Sequence, residues 1–365
     1  MSRYINPSRL KLARNRRQLT IKALAEKTNL TTKMVSKYEN EGCEHIPKDG
    51  TLNAFSSALD YPAGFFLEND AIEELSPSSV SFRSLKSMRA YQEHAAIAAG
   101  QLGILLNSYF MSKFPNLPMA SLPDLRSVEP ESAAQTIRDQ WDLGQQSISN
   151  MIHLLEKHGI RVFSLSENTQ SVDAFSFWKD DIPYIFLNTQ KSAERSRFDA
   201  AHELGHLLLH KHGVPQGRDL EAEADKFSAH LLMPRSTILA YKSSHISIQD
   251  IISLKRNWNV SAMALIVQMR NVSAISEWQH RNLIIEASKL GLRKKEINGI
   301  ENEKSGLLKH LFDHLLSKED IEIRDIANSL DLPIEELTNL VFMMGLIQGG
   351  SQTNSKILKP ALKLV

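Results

Sequence analysis

Apolar positions recur at helical spacing along most of the chain and at strand-like density in only one stretch. Near the start, Leu10 with Ala13, Leu24 with Ala25, and Val35 with Tyr38 mark three short helices. Asn6 followed by Pro7 predicts the first of them, running to about Arg17, because Asn caps and Pro at the first position loses no needed N–H. The second starts near Ile21. Asn29, which tolerates left-handed backbone, suits the tight turn after it. Thr31 caps the third, and a fourth over about 52–59 closes a small bundle with Phe65 and Phe66 as packing anchors. Residues 70–81 are rich in acids, Ser and Pro and read as a linker. A helical pattern fills 82–157. Three aromatic and β-branched runs follow at 160–165, 174–178 and 184–187. A long helix is expected over about 196–211 and another over 220–233, ended by Pro234. The pattern then stays mainly helical to Gly345, and the last twenty residues are rich in Gly, Ser, Asn and Lys. The expected fold is α+β and mainly helical. Four parts are expected: a helical N-terminal domain (1–68), a linker (69–81), an α+β domain with a small sheet (82–240) and a helical C-terminal region (241–365).

Charge sharpens this division. The chain of 365 residues carries a net charge of only +1, but the charge is unevenly spread. Between Ser2 and Asn40 ten basic residues face two acids, Glu26 and Glu39, an excess that suits a polyanion such as DNA. One cysteine, Cys43, excludes an internal disulfide framework and fits a reducing compartment. The opening MSRYINPSRL has no apolar core of a signal peptide. The apolar stretch 95–106 is short and holds Gln101 and two glycines, so it reads as a core helix and not a membrane span. A cytoplasmic location is expected.

The chemistry is concentrated in FDAAHELGHLLLH. His202 and His206 are four apart, so on a helix they share a face, about 5–6 Å apart at Cβ. Two imidazoles so placed can converge on one Zn²⁺ at about 2.0–2.1 Å. Glu203 stands where its carboxylate reaches a water at that ion and can take its proton during attack on a carbonyl. A third ligand is needed, and DLEAEADKFSAHLLMP offers two. Glu221 has Asp225 four residues behind it, able to orient a ligand histidine through its other ring nitrogen; Glu223 is the competitor on a different side of the helix. His210 is either a site residue or a helix end, and Tyr184 either an oxyanion donor or a packing group. Arg195 and Arg197 are expected to pair with acids, His212 and His230 to be partly exposed, and Met233, Trp258 and Trp278 to fill core.

HELGH, then ExxAD, then LLMP, after the lead-in RSRFDAAHE, resembles the ImmA/IrrE family of metallopeptidases. The likeness extends over about 82–293 and takes in GIRVFSL, VDAFSFW, PYIFLN, SLKRNWNVSAMALIVQM and LGLRKKE. The resemblance implies a zincin-like, gluzincin-type fold and hydrolysis of a peptide bond in a partner repressor. By position it places the ligands on His202, His206 and Glu221, with Glu203 as base. Zinc is the default for such a donor set, with Mn²⁺ or Fe²⁺ as alternatives. Ser228 and His230 stand where family members commonly have Ala and a carboxylate, and neither is a proposed ligand.

The segment RLKLARNRRQLTIKALAEKTNLTTKMVSKYENE, within about 7–68, resembles the XRE-type helix-turn-helix. The resemblance puts Thr32, Lys33 and Lys37 at base edges and Ser36 at a base or phosphate. Arg14, Arg16, Arg17 and Lys22 would touch phosphates. Ile21 and Asn29 depart from the Gln and Gly usual at their positions. A second such phrase, IRDIANSLDLPIEELTNLVF, is acidic and reads as a structural or partner-binding pair. The leading expectation is therefore a DNA-binding regulator that cleaves a repressor or antitoxin-like partner, and a homodimer is compatible with it. The alternatives are a regulator whose peptidase-like domain only senses or docks, and self-cleavage in the linker.

Overall fold

The computed structural model describes residues 4–40, 46–47, 50–70, 72, 74–77, 80–82, 89–165, 173–188, 190–210 and 218–341. Cys43, His212 and the last twenty residues lie outside these.

The N-terminal helices are α1 (Pro7–Arg16), α2 (Ile21–Thr28), α3 (Thr32–Tyr38) and α4 (Thr51–Leu59), followed by a 3-10 turn at Ala63–Leu67. Their starts follow from side-chain caps. Asn6 accepts from the Ser8 N–H, Thr20 from Ala23 and Thr31 from Met34, each satisfying a donor with no partner inside the helix. Asn29 ends α2 in the left-handed region at φ 54°, so Asn can stand where glycine is usual.

Beyond this bundle come β1 (Ser81–Phe82), α5 (Ala90–Lys113), α6 (Pro130–Gln140), α7 (Met151–Lys157), β2 (Arg161–Leu165), β3 (Ala174–Lys179) and β4 (Ile182–Asn188). The helical pattern over 82–157 is three helices, with Pro115, Pro118 and Pro123 in the first interruption. Next are α8 (Ala193–Leu209), α9 (Arg218–Leu232), α10 (Arg235–Leu239), α11 (Ile248–Leu254), α12 (Ala262–Asn271), α13 (Glu277–Lys289), α14 (Gly306–Glu319), α15 (Ile323–Ser329) and α16 (Ile334–Leu340).

The sheet order is β1-β3-β4-β2, with β2 parallel to β4 and the other neighbours antiparallel. Its two faces serve two cores. Phe163, Phe175, Phe177, Tyr184 and Phe186 join the N-terminal bundle, α5 and α14–α16. Val162, Ala174, Ile185 and Leu187 face the other way, toward α6–α9 and α11–α13. This is the two-residue period of a strand buried on both sides. Within the C-terminal region, α11–α13 pack with α6–α9, and α14–α16 pack with the N-terminal bundle. Helix α5 is long and apolar enough to cross a membrane by length and composition, but Ala95, Ala98, Ala99, Leu102 and Leu106 are fully buried, as in a core helix. Residues of the expected linker are also packed, with Ile72, Leu75 and Val80 buried. Trp258 and Met233 are core, as expected. Trp278 is not: it is 72% exposed on α13. His230 is buried beside Gln268 and Glu131, where partial exposure was expected.

Candidate metal centre

Helix α8 begins at Ser192, whose side chain accepts from the Arg195 N–H. Arg197, fully buried, pairs with Glu303 and donates to the Ile148 carbonyl, while Arg195 pairs with Asp173 at 2.7 Å. These contacts tie the first half of α8 to its surroundings. Gly205 then lets α9 come close: a Cβ there would meet Phe227 Cδ1 at 3.1 Å and Ala224 Cα at 3.3 Å. That approach carries Glu221 to the two histidines.

The donors form a triangle. His202 Nε2 and His206 Nε2 are 3.0 Å apart; Glu221 Oε2 lies 3.4 Å from the first and Oε1 3.3 Å from the second. Donors about 2.0–2.1 Å from a tetrahedral ion sit about 3.3 Å from one another, so the three side chains fit one face of such a coordination shell. Their donor atoms form the one group of this kind found among the described residues. Burial lowers the His206 pKa to about 4, which keeps the imidazole neutral, as a ligand must be. Burial would raise Glu221, but the His202 and His206 rings against it outweigh burial and hold the carboxyl at about 2.

The outer nitrogens are also engaged. His202 Nδ1–H donates to Asp225 Oδ1 at 2.8 Å, which leaves Nε2 as the lone-pair nitrogen facing the ligand triangle. His206 Nδ1 meets His210 Nδ1 at 2.8 Å, and His210 Nε2 meets Glu223 Oε2 at 3.0 Å. Helix α8 ends at Leu209, and the extended backbone at His210 swings its ring back to His206. His210 is thus both a helix end and a site neighbour. Glu223, the rival for third ligand, holds His210 and lies outside the triangle. Glu203 is fully buried and accepts from Ser176 Oγ at 2.6 Å on Oε2. The reading from sequence missed Ser176. Its only signal was a small polar residue alternating with Phe175 and Phe177, on the opposite face of β3. Tyr184 faces the wrong side: its hydroxyl accepts from Asn107 of α5, so it packs and does not reach the centre.

At the basic N-terminal surface the structure separates two sets. Thr32, Lys33 and Lys37 are exposed along α3 and Ser36 is half-buried. The arginines of α1 and its C-cap hold partners within the fold. Arg14 makes a two-pronged pair with Glu39 at 2.6 and 2.8 Å and donates to the Leu19 carbonyl. Arg16 is buried against Glu336 at 2.7 Å. Arg17 reaches the same carboxylate at 2.6 Å and donates to the Leu59 carbonyl. Each of these guanidinium groups is engaged by a carboxylate of the same chain. The acidic phrase of α15 and α16 is what occupies two of them.

Comparison with known families agrees with this arrangement. Residues 155–270 match the IrrE N-terminal-like domain of a peptidase family, and residues 10–66 match a helix-turn-helix family. A comparison with curated proteins gave no match. With a helix-turn-helix match ahead of an IrrE N-terminal-like domain that contains the whole donor triangle, the chain matches the ImmA/IrrE architecture, which supports a DNA-binding regulator with a peptidase-family domain.

Proposed function

We propose that this regulator is a cytoplasmic zinc metallopeptidase that hydrolyses a peptide bond in a regulatory protein, a repressor or antitoxin-like partner. One observation carries the reading: buried Glu203 stands beside a donor triangle whose edges suit a tetrahedral cation. Zinc held by His202, His206 and Glu221 would polarise the scissile carbonyl and acidify a water at its open position. Glu203 takes the proton of the attacking water and passes it to the leaving amine. Ser176 sets the orientation of that carboxylate, and Asp225 sets the tautomer of His202. Thr32, Lys33, Ser36 and Lys37 of α3 supply the DNA-facing side chains.

Zinc content and cleavage measured on one preparation test this. Wild type should hold about one zinc per chain, and His202→Ala and Glu221→Ala should lose it, because two remaining protein ligands fall short of a catalytic set. Glu203→Gln should keep the metal and lose about 10²–10⁴-fold in cleavage of casein or of a candidate repressor. A variant that cleaves as wild type does would sink the mechanism. The second reading, a docking or sensing module without proteolysis, draws on the complete burial of His202 and Glu203. It predicts metal binding with no Glu203-dependent cleavage of any protein.

A further inference from the structure

The outer edge of β3, the strand whose Ser176 touches Glu203, is taken by β1. The pairing is antiparallel, Ser81 opposite Ser176 and Phe82 opposite Phe175. Partners across an antiparallel ladder point their side chains to the same face. Ser81 therefore points to the face of Ser176 and Glu203, while Val80 joins the core on the other face. The Ser81 hydroxyl is buried and has no hydrogen-bond partner among the described residues. A buried hydroxyl left in this way is unusual in a settled interior and common where a polar ligand or water belongs. In the same structure His202 and Glu203 are fully buried and His206 is 1% exposed. A peptide approaching as an extended strand would need the backbone edge that β1 already uses, because a strand offers one row of donors and acceptors on each side.

We propose that β1 is an internal occupant of a peptide-binding edge. The outer side of β3 is a surface for an extended polypeptide added as an antiparallel strand, and the 80–82 segment between the helix-turn-helix and the peptidase domain covers it. This deepens, and rests on, the metallopeptidase reading. A substrate strand reaches the centre by displacing β1, so the folded chain is held closed by its own linker. The same segment joins the DNA-binding bundle to the site, with Leu75 packed near Phe177 and Gly100 on the way.

The test reads access to the histidines without requiring metal. Paired residues along an antiparallel ladder alternate between bonded and non-bonded, so one of Ser81 and Phe82 donates its N–H to β3. Ser81→Pro and Phe82→Pro are therefore made in turn in the full-length, metal-free chain, with circular dichroism as the check on folding. Acylation of His202 and His206 by diethyl pyrocarbonate is followed by mass spectrometry. The variant that loses the ladder donor should react about tenfold faster than wild type, because one edge opens locally while the rest stays folded. Equal reactivity in all three chains would overturn the proposal. Hydrogen exchange on wild type is the measurement independent of substitution: the amides of Phe175 and Ser176, one bonded to β1 and the other to β4, should exchange as slowly as those of 182–188. Fast exchange at Phe175 or Ser176 would show the edge bare and overturn the proposal as well. Zinc uptake separates the two readings. A proline variant whose histidines react but which takes up no zinc supports the cover and overturns the metallopeptidase reading.

Discussion

The metal centre and the basic end of α1 are both clusters of charged groups, yet they are built over different distances. At the centre, every contact among His202, His206, Glu221 and Asp225 spans at most 23 residues and comes from two successive helices. At α1, Arg16 meets Glu336 across 320 residues. The first is a product of helix periodicity: imidazoles four apart, and carboxylates four apart, necessarily share a face. The second depends on how the C-terminal helices dock. Glu336 accepts from Arg16, from Arg17 and from the Tyr61 hydroxyl at 3.1 Å, and so joins α16 to the helix-turn-helix bundle. On its other side α16 touches β2, where Ser164 donates to the carbonyls of Asn339 and Leu340. A pattern rich in arginine thus has two readings, phosphate contact or buried ion pair, and only the distant partner decides between them.

The comparison can be broken or sharpened by experiment. Glu336→Ala strands the buried Arg16 charge and should cost about 3–5 kcal/mol in denaturant unfolding, the largest effect expected outside the centre. Pairing Glu336→Leu with Arg16→Met should recover most of it, since an apolar pair carries no desolvation penalty. Little loss in the single variant would mean that the pair is not the clamp it resembles.

At the centre, Asp225→Asn should weaken zinc binding by about 10–100-fold in competition with a chelating dye, because the His202 tautomer loses its anionic partner. Glu223→Gln acts one hydrogen bond farther out, through His210. A loss well below that of Asp225→Asn is expected on the same titration, and an equal or larger loss would make Glu223 a ligand.

The smallest effects concern DNA. Lys33→Ala and Lys37→Ala should each reduce the salt slope of duplex binding by about one, read by fluorescence anisotropy at several salt concentrations. Arg17→Gln should leave that slope unchanged, because its guanidinium faces Glu336 and the Leu59 carbonyl. A fall in slope for Arg17→Gln would return it to the phosphate contacts.

Much of the fold was legible because its signals are local. The caps at Asn6 and Thr31, the turn at Asn29 and the three strands after residue 160 all lie within a few residues of what dictates them. The pattern over 82–157 shows helices but not their bounds, although the prolines at 115, 118 and 123 mark the first interruption. Trp278 was assigned to core on residue type alone, yet α13 turns it outward. Strand β1 was hidden in a polar stretch. Two residues carry no periodicity, and their extended form comes from the backbone of β3.

The sequence by itself determined which side chains could bind a metal, since spacing on one helix and the next restricts His202, His206 and Glu221 to neighbouring faces. It also determined the helix-turn-helix, through caps and alternating core positions. Tertiary structure alone decided what surrounds those groups. It brought Ser176 to Glu203, placed His210 between His206 and Glu223, turned Tyr184 toward α5, and spent Arg16 and Arg17 on Glu336. The physical reason is range. Helical phase and capping act over a few residues of chain, whereas burial, charge pairing and strand addition depend on groups that meet only once the chain has closed on itself.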